Sequence, residues 1–253
     1  MRSTLAVMGF AMLAATPVRA DPCGVDAAQG EDVVIAGATT FGAFAMVDGR
    51  VVRLAGLDPA SLRAPAIEGE EATLIAAPRP DRHGALRGDL IVDGTSLSER
   101  LVADGSARVR PAPGDIACYA RLLGAENAAR QSRLGLWGEQ RYAVLDASDA
   151  DAVGRAPERF AILSGRIQHV GVGADRIFMD FGTVWKTDVT VVIAKRDRER
   201  FVAAGLAPES LDRRLVRVRG VLTQRNGPLI EVTEPAAIEA LDEGTPKRAS
   251  EPE

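Results

Sequence analysis

The stretch that decides the fold is Phe41-Gly42-Ala43-Phe44-Ala45-Met46-Val47, then Asp48-Gly49, then Arg50-Val51-Val52-Arg53-Leu54 and on through Ala55-Gly56-Leu57-Asp58-Pro59. Asp48-Gly49 is a hairpin turn signal set between two apolar segments, so Phe41 to Val47 and Val51 to Leu54 read as its arms. Working outward, Val33 to Ile35 reads as a strand before the hairpin. Ala72 to Ala76 and Leu86 to Val92 read as strands after it, the second closed by Asp93-Gly94. Ser96 is placed to cap a helix through Ala103, and Glu99 stands where a capping box requires it. Ile116 to Leu134 reads as a longer helix with Asp115 near its start and Gly135 at its end. Leu122, Leu123 and Ala129 fit its apolar face, and Arg121, Arg130 and Arg133 its wet face.

These segments resemble one family in order. Val52-Arg53-Leu54-Ala55-Gly56-Leu57-Asp58-Pro59 resembles the strand and loop of staphylococcal nuclease (thermonuclease-like) domains, and Asp81-Arg82-His83-Gly84 resembles their next hairpin turn. Asp93-Gly94 through Leu101 to Val109 resembles the following helix and strand. Glu126-Asn127-Ala128-Ala129-Arg130 through Gly135-Leu136-Trp137 resembles the terminal helix and its stop. The resemblance covers residues 31–138 and implies an OB-type β-barrel with packed helices.

Phosphodiester hydrolysis of this kind needs a metal held by carboxylates, a carboxylate that activates water, and arginines for the developing charge. By resemblance, Arg53 matches the first family arginine and Asp58 a metal-binding aspartate. The family's acidic loop falls on Ala36-Gly37-Ala38-Thr39, with both carboxylates gone. The glutamate position falls on Ala60 or Ser61, and the second arginine position on Ala85. Arg87, two positions on along the strand, is the candidate substitute. Glu68, Glu70 and Glu71 lie near the lost base in sequence. Pro59, Pro65 and Gly69 leave little room for the helix that active relatives place before Asp81. Arg53 and Asp58 therefore also read as structural ties, and His83 as a hairpin residue.

The second half follows an acidic, small-residue run. Residues 139–158 read as a linker between a domain over 21–138 and another over 159–241, and 242–253 as a disordered tail. Ile162 to Val170, Asp175 to Phe181, Asp188 to Ala194, a helix over Asp197 to Ala204, then Leu215 to Leu222 and Leu229 to Val232 give the element order of an OB fold. Asn226-Gly227-Pro228 turns the last hairpin. The expected fold class is thus mainly β with helices (α+β), two small OB-type barrels in tandem. OB barrels bind single strands with aromatic platforms and a basic groove. The candidates here are Arg217, Arg219, Arg225 and Trp185, with Phe178, Phe181, Arg166, Arg176 and Lys186 as secondary choices.

The N-terminus has the layout of a secretory leader: Arg2, the apolar run Leu5 to Ala15, and small residues at Val18 and Ala20 for cleavage before Asp21. Export makes Cys23 and Cys118 a candidate disulfide. The formal charge of −4 supplies no global attraction to nucleic acid, so any binding rests on a local basic patch. The leading expectation is a periplasmic or secreted thermonuclease-like protein without catalysis, acting as a binding module for single-stranded nucleic acid or an envelope protein, free of the membrane once the leader is removed. It needs no cofactor. One alternative is a calcium-dependent phosphodiesterase with rearranged residues, Asp58 holding the ion. Another is a structural envelope module.

Overall fold

The computed structural model describes residue 23 and residues 30–40, 42–114, 116–156, 159–184, 187–225 and 227–241. The expected leader over 1–20, the tail over 242–253, and Phe41, Asp115, Trp185, Lys186 and Asn226 lie outside the described residues.

The first sheet is built from β1 (Glu31–Ala38), β2 (Phe44–Met46), β3 (Val51–Leu54), β4 (Glu71–Ala76), β5 (Ala85–Val92) and β6 (Thr95–Ser96). β1 lies between β2 and β4, β4 pairs β5, and β3 pairs β5 in parallel, so the path closes on itself as a barrel. The Asp48-Gly49 hairpin forms as read, with Phe44 opposite Val52. Inward positions fill the barrel: Ile35, Phe44, Val52, Leu54, Leu74, Leu90 and Val92 share one apolar cluster. The helix α1 (Leu97–Ala103) starts where the sequence placed it, with Ser96 Oγ accepting from the Glu99 backbone N–H at 3.1 Å. Glu99 does not complete the capping box. Its carboxylate accepts instead from Arg121 at 2.9 Å, tying α1 to the helix α2 (Ile116–Gln131).

The second half is not separated by a free linker. β7 (Leu145–Asp146) pairs in parallel with β8 (Phe160–Arg166), and α3 (Ala150–Gly154) is capped by Asp149. Ala147 and Val153 lie in the second core. Acidic small residues here are capping and turn residues on a docked segment. Within 139–158, only residues 157–158 fall outside the described residues.

The expected strand over 162–170 is two strands, β8 and β9 (His169–Val172), broken at Ile167-Gln168. β10 (Arg176–Asp180), β11 (Thr190–Ala194), the helix α4 (Arg198–Ala203), β12 (Leu215–Gln224) and β13 (Pro228–Glu231) follow, and β14 (Ile238–Ala240) adds to β12. The path runs β8-β12-β13-β11-β10-β9, so it begins and ends on one chain segment. The parallel pairing of β11 with β13 repeats that of β3 with β5. Both halves therefore share the OB arrangement, within a mainly β, mixed α+β architecture.

α2 joins the halves because it is covered on two sides. Tyr119 and Leu122 pack into the first core, while Ala129, together with Trp137 beyond the end of the helix, meets Phe160 and Ile162 of β8. Strand alternation explains the second contact: Ala161 and Leu163 face the second core, so Phe160 and Ile162 face α2. Ala236, just before β14, reaches the first core. Cys23 and Cys118 are disulfide-bonded, with Cα atoms 5.4 Å apart, which pins the N-terminal arm to the first residues of α2. Among the described residues, no helix is long and apolar enough to cross a membrane.

Candidate functional site

β3 and β5 set the centre of the site. Their parallel register places Arg53 beside Arg87. At the turn into β5, Asp81 accepts from the backbone N–H groups of His83 and Ala85 at 2.8 and 3.1 Å, and from Arg53 at 2.5 Å. Those two backbone donors, then Arg53, hold the Asp81 carboxyl below its ordinary range. Arg53 is thereby fixed at the mouth of an open groove of about 750 Å³, lined also by Thr39, Thr40, Arg87 and Arg110. The floor is apolar: Leu54, Leu57, Pro59 and Leu62. Gly56 belongs to that floor at φ +77°, and a Cβ there would meet Tyr119 Cε1 at 3.0 Å. Among the described residues no carboxylate lines this groove, Asp81 holding Arg53 from outside the lining. It presents three guanidiniums over an apolar floor, a setting suited to phosphate oxygens with an organic portion beneath.

Asp58 does not look into the groove. It is 1% exposed, and Arg108 donates to its Oδ2 at 2.9 Å. Its Oδ1 makes no hydrogen bond and lies 3.9 Å from Arg110 Nη1. Arg108 is itself buried, donates to the Phe160 carbonyl at 3.2 Å, and sits 5.1 Å from the Phe160 and Tyr142 ring centres. Asp58 is therefore a tie between its loop and the strand-like segment around Val109. Arg53 is a tie as well, but to Asp81, so the two family-matching residues do not meet each other through an ion pair.

This donor set does not fit calcium. The positions expected to carry the acidic loop are Ala36, Gly37 and Ala38 at the end of β1, and Asp58 already faces two guanidiniums that would repel a cation. Among the described residues, no group of three His, Cys, Asp or Glu side chains is placed to hold a metal ion. Ala85, standing for the second arginine, is 4% exposed and packed. Glu68 is an acidic neighbour of residues 36–38: its Oε1 would lie 3.0 Å from a Cβ at Gly37. Between Asp58 and β4 the described chain forms turns without a helix.

The arginine stripe expected on β12 is overturned. Val216, Val218 and Leu222 point into the second core, which sends Arg217 and Arg219 to the opposite face, and α2 covers that face. Arg219 and Glu126 are each 0% exposed and pair at 2.6 Å. Arg219 also donates to Glu239 at 2.6 Å and to the Val109 carbonyl at 3.1 Å. Arg217 pairs Glu239 at 3.1 Å and donates to Asn127 at 2.9 Å. Both guanidiniums are engaged by partners within the protein. Burial pushes the Glu239 carboxyl up, but Arg219 and Arg217 outweigh it and hold it below its ordinary range. Arg225 alone of the three is exposed, at the end of β12. Trp185 lies outside the described residues. Phe181 is in the second core, whereas Phe178 is partly exposed.

Sequence reasoning missed Arg108, Arg110, Glu126 and Glu239. The signal was present in Ala107-Arg108-Val109-Arg110, which alternates apolar and arginine as Val216 to Arg219 does. One such arginine is buried in each half, and one-dimensional alternation does not reveal a face covered by another barrel.

Residues 62–139 match the family described as staphylococcal nuclease homologue. The matched span holds Asp81, Arg87, Arg108, Arg110 and α2, and it starts after Arg53 and Asp58. No curated protein matches the chain.

Proposed function

We propose, taking the first half as a thermonuclease-like barrel, that it holds phosphodiesters of single-stranded nucleic acid in the arginine groove without cleaving them. The observation that carries this reading is the pairing of Arg53, Arg87 and Arg110 around one groove with an Asp58 already neutralised by Arg108. Phosphate binding needs only the guanidiniums. Hydrolysis needs, in addition, a held metal and a water-activating carboxylate. The expected seat of binding thus moves from the second barrel to the first. We place this activity outside the cytoplasm, with the leader-like residues 1–20 and the Cys23–Cys118 bond as support. The test is retention of a labelled single strand on the purified protein. The Arg53→Ala and Arg110→Ala variants lower affinity by about tenfold each, as loss of charged contacts does; equal affinity in both variants contradicts the reading.

A second reading has one observation in its favour, the Glu68 carboxylate beside Gly37. On it, Glu68 replaces the lost acidic loop in a calcium-dependent phosphodiesterase. Calcium-dependent cleavage that disappears in Glu68→Gln would support this second reading over the first.

A further inference from the structure

The groove on the first barrel does not end there. Arg110 and Pro111 line it, and the same two residues line a second cavity of about 320 Å³ at the junction of the barrels. That cavity is completed from the other half by Phe160, Thr223, Arg225 and Glu231. Arg225 stands on the β12–β13 connection, and this connection is one of the two loops at which OB folds receive oligonucleotides. The Arg110 guanidinium lies 5.7 Å from the Phe160 ring centre, so it is steered to the boundary between the two cavities.

We propose that the two cavities form one track, and that the ligand is a single-stranded nucleic acid long enough to run from Arg53 and Arg87, past Arg110, to Arg225. The inference rests on the phosphodiester-binding reading of the first barrel and adds to it the second barrel and the length of the ligand. The alternation of surfaces along the track matches the ligand. Guanidiniums at Arg53, Arg110 and Arg225 recur along it, as phosphates recur along a strand. Between them lie the apolar floor of the groove and, at the junction, Thr223 and Glu231, whose hydroxyl and carboxylate suit a base edge and disfavour a ligand that is charge throughout. Inorganic polyphosphate, with phosphate at every position, would place charge against Glu231. A duplex would hold its bases away from the floor.

The contacts that dock the barrels also shape the track. Arg219 fills the wall of the junction cavity while buried against Glu126, and the Val109 carbonyl accepts from it one residue before Arg110. The position of Arg110 relative to Arg225 is thus set by the same contacts that join the halves.

The experiment uses the full-length, disulfide-bonded protein in calcium-free buffer, with dye-labelled oligothymidylates of about 4 and about 20 nucleotides, the shorter at the low end of what one OB-type site covers and the longer beyond the roughly 16 nucleotides at its upper end. In the native protein the longer strand binds at least about tenfold more tightly. Arg225→Ala removes most of that gain and lowers the salt slope by about 0.7, the share of one phosphate on a single strand. Arg225→Glu removes more. An equal gain on lengthening in native and Arg225→Ala protein, or no gain in either, overturns the track. In that case the shorter strand still binding and still weakened by Arg53→Ala leaves the first-barrel reading intact. Binding of neither length overturns both. Competition by polyphosphate or duplex as effective as by the single strand overturns the ligand class.

Discussion

At the residue scale, Asp58 shows how a motif position changes its work. A carboxylate that is 1% exposed and answered by Arg108 is bound to the structure rather than offered to an ion. Removing Arg108 leaves that carboxylate buried and uncompensated, so Arg108→Ala should cost about 3–5 kcal/mol in urea unfolding; a loss within about 0.5 kcal/mol, as for an ordinary surface change, would show that the pair does not hold the loop. Ala85 makes the complementary case. Restoring the family's second arginine there forces a guanidinium into a packed position that is 4% exposed. Ala85→Arg, alone or with Ala38→Asp, should therefore lower thermal stability and add no calcium-dependent cleavage. A gain of cleavage with unchanged stability would mean that the barrel kept a catalytic cradle.

At the element scale, β12 and α2 hold the most consequential contact. Arg219→Met strands Glu126 in a site with no solvent, with an expected cost of about 3–5 kcal/mol. The double variant Arg219→Met with Glu126→Leu should recover part of that, because the Glu126 charge is then gone and Glu239 keeps Arg217 as its partner. Glu239 gives this network a pH signature. Its folded carboxyl is held below its ordinary value, so on acidification the unfolded chain takes up the proton first and the fold loses stability. The loss should begin as pH falls below about 4.3, the ordinary glutamate value, and be complete below the depressed folded value. Denaturation across that range should show the Glu239→Gln protein lacking this part of the acid sensitivity. The same elements mark what the sequence could reveal. The Asp48-Gly49 hairpin, the Ser96 cap and the β12–β13 hairpin were legible because turn chemistry and alternation are local. β7, α3 and β14 were not, since each is short: β7 and β14 are held by pairing to other strands, and α3 by its Asp149 cap and the packing of Val153 in the second core. The placement of Arg53 and Arg87 on neighbouring strands was legible through the motif and strand periodicity. The burial of Arg217 and Arg219 was not, because alternation tells that two residues share a face and not what covers it.

At the scale of the whole molecule, the two barrels are one unit. Arg108 and Arg219 each cross between halves, to Phe160 and to Glu126, and α2 contributes to both contact surfaces. Unfolding followed by near-ultraviolet and far-ultraviolet signals should therefore coincide in one transition, and separation into two would show independent domains. The Cys23–Cys118 bond closes a span of 95 residues. Its loss in Cys118→Ser should remove up to about 5 kcal/mol on the chain-entropy account; no change in the urea midpoint would show that the arm is held by packing alone. What the joined barrels do is most directly read from one incubation. The full-length protein is mixed with end-labelled single-stranded DNA in calcium and, separately, in chelator, and the strand is examined both for retention on the protein and for length. The account predicts a strand retained in both conditions, released by salt and intact. A strand shortened in calcium alone, with that shortening lost in Arg53→Ala, would contradict it.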